Sequence, residues 1–146
     1  MIAGYAFWNC EYLQNIEFPD GLKYICGEAF SYSDGPKKIT IPKSVEVVGG
    51  SAFYACGSLE ELVLEDGIKN IENYAFANCE SLTEITIPSS VTYIRERAFY
   101  YCTRLKKINI KKGVLGIENN AFGASHSLTS VNIPNSVISI HPDAFY

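Results

Sequence analysis

The chain has 146 residues, 47% of them apolar, enough for one domain with a substantial core, and this excludes gross disorder. Its formal charge of −4, with both signs interspersed, leaves no electrostatic footprint for nucleic acid or an anionic membrane. No apolar run approaches the roughly 18 residues of a membrane span, and MIAGYAFWNC at the start lacks the basic and apolar regions of a targeting signal.

The pair Ala-Phe stands at 6–7, 29–30, 52–53, 75–76, 98–99, 121–122 and 144–145, always 23 residues apart. A fixed period of this size predicts a solenoid, in which each repeat buries its apolar face against its neighbours. Taken in chain order, each repeat has three parts. First comes L-x-x-I-x-I, with Leu13, Leu59, Leu82, Leu105 and Leu128 in one column and Pro36 in its only gap. The β-branched positions that follow, at a period of two, predict short strands at 14–18, 37–41, 60–64, 83–87, 106–110 and 129–133. Constant phase makes these parallel, one per coil, about 4.8 Å apart.

A turn then leads to a second apolar pair, Leu22/Ile25, Val45/Val48, Ile68/Ile71, Val91/Ile94, Val114/Ile117 and Val137/Ile140. A spacing of three fits either an extended segment or a tight helical turn. The Ala-Phe segment closes the coil. Small Ala beside large Phe, with Cys three residues later, predicts one or two helical turns facing inward, the phenylalanines stacking into a spine. The expected fold is an α/β solenoid of about six coils, with one parallel sheet and short helical segments opposite it.

A second periodicity doubles the unit. Gly21, Ser44, Gly67, Ser90, Gly113 and Ser136 alternate, and so do large and small residues after each Phe: Trp8, Ser31, Tyr54, Ala77, Tyr100, Gly123 and Tyr146. Coils lie closer together than an aromatic ring is wide, so a large side chain needs small neighbours. The repeating unit is therefore 46 residues, two unlike coils in three copies.

The segment CESLTEITIPSSVTYIRERAF, from Cys79 to Phe99, resembles the bacterial leucine-rich repeat of 23 residues, the BspA-like or Treponema pallidum type. The resemblance covers essentially the whole chain. Its departures are Pro36 for Leu, Ser33 and Ser125 for Cys, and Glu65 and Lys111 for Pro. It implies a curved solenoid of the kind displayed on bacterial or protist surfaces, several of which act in adhesion, so the location it implies is the cell surface or outside the cell. It implies no shared catalytic motif and no cofactor.

Cys10, Cys56, Cys79 and Cys102 share one column, with Cys26 elsewhere. A ladder of one thiol per coil cannot converge on a metal as zinc requires, and the serines at 33 and 125 mark the column as one of small buried side chains. A disulfide between neighbouring coils is the alternative. His126 and His141 have no triad partners and read as solvated loop residues. An enzyme is therefore not expected, nor any cofactor.

Two surfaces compete as the site for a protein partner. Outward strand positions such as Lys38, Glu61, Glu84 and Lys107 are mostly small or charged, and pair Lys38 with Glu61 and Glu84 with Lys107. Residues that anchor interfaces lie instead near the Ala-Phe segments: Trp8, Tyr12, Tyr32, Tyr54, Tyr100, Tyr101, Arg104 and Tyr146. The expected function is a non-catalytic, adhesin-like binding scaffold; the alternative is a self-assembling solenoid. The second rests on the ends, IAGYAFW and IHPDAFY, which are the same half-coil in phase and carry no polar cap. Ile2, Phe7, Ile140 and Phe145 are its candidate contacts, and an excised piece of a longer array would look the same.

Overall fold

The computed structural model describes residues 1–146, and every regular element in it is a strand. In chain order these are β1 Tyr24–Ile25, β2 Lys38–Ile41, β3 Val47–Val48, β4 Glu61–Leu64, β5 Asn70–Ile71, β6 Glu84–Ile87, β7 Tyr93–Ile94, β8 Lys107–Ile110, β9 Gly116–Ile117, β10 Ser130–Asn132 and β11 Ser139–Ile140. All pairings are parallel, as constant repeat phase requires. The second apolar pair of each coil is extended: β1, β3, β5, β7, β9 and β11 form one uninterrupted six-stranded sheet, with Ile2 bridged to Ile25 at its edge.

The helical turns expected at the Ala-Phe segments do not form. Two columns of non-glycine residues have positive φ, one at Tyr5, Glu28, Ser51, Tyr74, Arg97, Asn120 and Asp143, the other at Asn9, Tyr32, Ala55, Asn78, Tyr101 and Ala124. A left-handed residue every four positions cannot lie in a right-handed helix. The segment is instead a run of tight turns whose amides alternate in use. Ala75 and Ala77 donate to the carbonyls three residues back, at Glu72 and Tyr74. Tyr74, Phe76 and Asn78 donate to Glu96, Ala98 and Tyr100 of the next coil. The backbone is thus satisfied between coils, as in a sheet, where a helix would satisfy it within itself.

The longer strands fall into two sheets, β2-β4 and β6-β8-β10, where the sequence predicts one. The expected strand at 14–18 is absent. Glu60, Lys106 and Thr129 each donate an entry hydrogen bond to the preceding coil; Lys37 and Thr83 do not, and the ladder fails at those two places. Lys37 follows Pro36, which fixes its own φ and removes a donor. Between β4 and β6, Glu61 faces the next coil's Glu84, and like charges opposite one another weaken a strand pair.

The core is a single cluster threaded by the phenylalanine column. Neighbouring rings from Phe7 to Phe145 stack nearly parallel, with centroids 4.9–5.4 Å apart. Cys56, Cys79 and Cys102 are buried free thiols, and their Sγ atoms donate to the carbonyls of Phe30, Phe53 and Phe76 at 3.4–3.5 Å. Ser33 does the same to Phe7 at 2.6 Å, so Ser can replace Cys as a donor there, whereas the hydroxyl of Ser125 is buried without a partner and matches the column only in size. The Gly/Ser alternation has a similar cause. A Cβ on Gly67 would meet the Lys43 carbonyl oxygen at 2.2 Å, and the Gly67 amide donates to Ser90 Oγ at 2.9 Å. Gly113 repeats both contacts, with Ser89 and Ser136.

Candidate interaction surface

The turns that end in Asn9, Tyr32, Ala55, Asn78, Tyr101 and Ala124 carry aromatic side chains outward along one flank. Trp8 meets Tyr32 edge-on at 5.9 Å, and Tyr32 meets Tyr54 edge-on at 5.4 Å. In the next coil the strip opens, because position 77 holds a wholly buried Ala and position 78 an Asn. Beyond it the rings of Tyr100 and Tyr101 lie 6.2 Å apart. Tyr100 rests over Gly123, where a Cβ would lie 3.2 Å from its ring, as the large-small alternation predicts.

The opening is a slot of about 350 Å3 lined by Tyr54, Tyr74, Asn78, Arg97, Tyr100 and Tyr101. Arg97 forms its wall, with its guanidinium 5.6 Å from the Tyr74 ring centre and 5.7 Å from that of Tyr100. It donates to the Tyr74 hydroxyl, a bond that holds the guanidinium pKa up. Desolvation by burial raises the Tyr54 hydroxyl, with the neighbouring Tyr32 adding to the effect. Tyr54 is therefore a neutral donor at physiological pH, while Arg97 holds the Tyr74 and Tyr100 rings by cation–π contact.

At Asn78 the slot joins a shallow groove of about 820 Å3 that runs from Tyr12 to Arg104. Among the residues lining it are Glu11, Asp34 and Glu80, all exposed. These hold one column at 23-residue intervals, with Gly57 between the last two.

Of the expected partner residues, Tyr54, Tyr100 and Tyr101 are brought into one slot. Tyr12 and Arg104 stand at opposite ends of the adjoining groove, and Trp8 connects through Tyr32. Tyr146 stands apart, highly exposed on the last coil. Tyr74 and Arg97 were not picked out from the sequence, although their separation of 23 residues places them in register, one coil apart. The competing sheet face has its largest hollow at the β4–β6 interruption, lined by Glu61, Glu84, Lys107 and Asn109 among others. Lys38 and Glu61 form an ion pair at 2.7 Å; Glu84 stands opposite Lys107 in register without closing to that distance. His126 and His141 are exposed, and no group of His, Cys, Asp and Glu is placed to hold a metal.

At the ends, Ile2 and Phe145 are partly buried; Phe7 is exposed on the first coil, and Ile140 on the last, together with the exposed Ile133 and Ile138. No helix is long and apolar enough to cross a membrane.

The BspA type leucine rich repeat region matches residues 28–146 in six copies. Among solved structures, a leucine rich cell surface protein of Faecalibacterium prausnitzii is similar at TM-score 0.69 and 28% identity, over 97% of this chain and 47% of that one. The pneumococcal vaccine antigen PcpA is similar at TM-score 0.71 and 27% identity, over 85% of this chain and 33% of that one. The leucine rich repeat protein of Treponema pallidum shares the fold at TM-score 0.61 and 23% identity, over 80% of this chain and 65% of that one. The chain thus spans about half the length of the first of these or less. No curated protein matches it.

Proposed function

Because the chain belongs to the BspA-type leucine-rich repeat family, we propose that it is a non-catalytic protein-binding module that engages its partner through the aromatic flank. The observation that carries this reading is the slot of four tyrosines braced by Arg97. Tyr and Arg are the residues that dominate interface energetics, and here they are held in place before any partner arrives, which lowers the entropy lost on binding. The sheet face has little to offer by comparison, since its side chains are small or charged, and its closed ion pairs, Lys37–Glu60 and Lys38–Glu61, are exposed pairs of a kind that contributes little. The description of the Faecalibacterium relative as a cell surface protein supports an adhesin-like role at the bacterial surface. A photo-cross-linking residue at Tyr101, compared with one at Thr86 on the sheet face, tests the assignment on extracellular matrix extract. Protein adducts from Tyr101 are expected; adducts from Thr86 alone, or none, would overturn it.

A second reading, association of the ends, is favoured by the exposed Ile133, Ile138 and Ile140. It has a geometric consequence. Continuing the solenoid in register with a second copy puts that copy's residues 2–8 on the columns already held by 140–146. One segment must leave before the coils can stack, and a head-to-tail contact of this kind stays open-ended. Light scattering across a concentration series is expected to show more association after removal of residues 1–8, and an unchanged monomer would end this reading.

A further inference from the structure

We infer that the tyrosine slot takes the prolines of a basic, proline-rich polypeptide segment, laid along the solenoid axis in polyproline II form. This rests on the reading above that the aromatic flank is the binding surface, and it names the chemistry of the partner. Three features carry it.

The first is spacing. Successive core rings step by 4.9–5.4 Å per coil. Tyr54 and Tyr100 are two coils apart, about 10 Å at strand spacing. A polyproline II helix completes one turn of three residues in about 9.3 Å. Prolines on one side of such a helix therefore meet equivalent sites two coils apart.

The second is ring orientation. In the slot the Tyr100 and Tyr101 rings are tilted 37° to one another, and along the strip that leads to it Trp8, Tyr32 and Tyr54 meet at 72° and 69°, which makes a ridged surface and not a flat platform. Ridges accept pyrrolidine rings between them, as in other aromatic grooves that read proline-rich segments, and a polyproline helix arrives already ordered. Tyrosine hydroxyls and Asn78 at the edge donate to the backbone carbonyls that such a helix leaves free.

The third is charge. Glu11, Asp34 and Glu80 form a row parallel to the aromatic strip, on the groove that shares Asn78 with the slot, and they outnumber the single cation lining that groove, Arg104. Lys or Arg side chains on the ligand's second side lie over this row while its prolines fill the slot. The match selects a basic segment and speeds its arrival.

The test uses a short fluorescein-labelled peptide of Pro-Pro-Arg repeats, an Ala-Ala-Arg counterpart and a β-linked glucan oligomer, with binding read by fluorescence anisotropy and competition. The proline peptide is expected to bind, and the alanine peptide to bind about tenfold or more weakly. Tyr101→Ala is expected to weaken binding about tenfold. That variant keeps the fold, because Ala55 and Ala124 hold the same left-handed column. Glu80→Gln is expected to weaken binding about threefold and to reduce its salt dependence. Equal binding of both peptides, no effect of Tyr101→Ala, or binding of the glucan alone would each overturn the inference. If the peptide fails while cross-links from Tyr101 persist, only the proline assignment falls. If both are lost, the reading beneath it falls too.

Discussion

Phe76 and Phe7 hold the same column with the same flanking Ala, yet Phe76 is wholly buried and Phe7 is 39% exposed. Ile94 and Ile140 differ in the same way, at 0% and 48%. What separates them is a coil on each side against a coil on one side. In this fold, burial is a property of neighbours, and a repeat position describes only what a residue does when both neighbours are present.

Truncating the spine breaks the comparison open most. Phe76→Ala is expected to cost about 3–5 kcal/mol, because the rings of Phe53 and Phe99, 5.4 Å away on either side, cannot both collapse into the space. Phe7→Ala, with a ring on one side only, is expected to cost about 1 kcal/mol. Chemical denaturation measures both, and equal losses would mean that burial does not control the energetics of the column.

The thiols divide along the same line. Desolvation pushes Cys56 and Cys102 up to about 12 from an ordinary value of 9.0, and Cys79 well above that value. The folded chain then keeps protons that the unfolded chain releases. The stability concerned is fully present below pH 9 and drains away as pH rises toward 12, by about 1.4 kcal/mol per thiol for each pH unit. Replacing all three by Ser, which already fills this column at Ser33, is expected to flatten the decline in denaturation midpoint. A slope unchanged by that replacement would rule the thiols out as its cause. In a labelling experiment at neutral pH, Cys10, which is only partly buried, is expected to react well before Cys79. In denaturant the two are expected to react alike, and fast native labelling of Cys79 would contradict its placement.

The repeat period, the apolar columns and the buried Cys and Phe ladders were legible in the sequence because each is set by side-chain size, which a 23-residue register displays directly. The three errors are errors about backbone. Small Ala beside Phe suits a helix and a stacked turn equally, and the choice is made by left-handed residues such as Tyr74 and Arg97, whose types give no warning. The missing strand at 14–18 and the interruption after β4 depend on single pairings, at Lys37 after Pro36 and at Glu61 against Glu84. A propensity for extended structure says nothing about whether a partner strand will accept the bond. The aromatic slot was half legible as an arrangement. Tyr54, Tyr100 and Tyr101 stood out as candidate anchors, but the slot also needs Arg97 on Tyr74 in the adjacent coil, and that contact shows only once residues one period apart are read as touching.

The smallest expected effect sharpens the comparison from the other side, because it should not depend on neighbours at all. Ala55 and Ala124 both hold positive φ, at 56° and 58°. For a residue with a Cβ this conformation costs about 1 kcal/mol, while for glycine it is free. Against the relief stands glycine's greater freedom in the unfolded chain, which takes back part of the gain. Ala55→Gly is therefore expected to stabilise the domain by about 0.5 kcal/mol, losing only a partly exposed methyl group. Ala124 lies in the turn next to the end of the solenoid, covered only by the final turn through Tyr146, but its strain is set by its own backbone. Ala124→Gly is expected to give the same gain within error. Equal increments at 55 and 124, beside unequal losses at Phe76 and Phe7, would separate what a coil does for itself from what its neighbours do for it. A gain at 55 and none at 124 would mean that the turn next to the end does not hold its conformation, and that more cover than the final turn supplies is needed to set the backbone as well as the core.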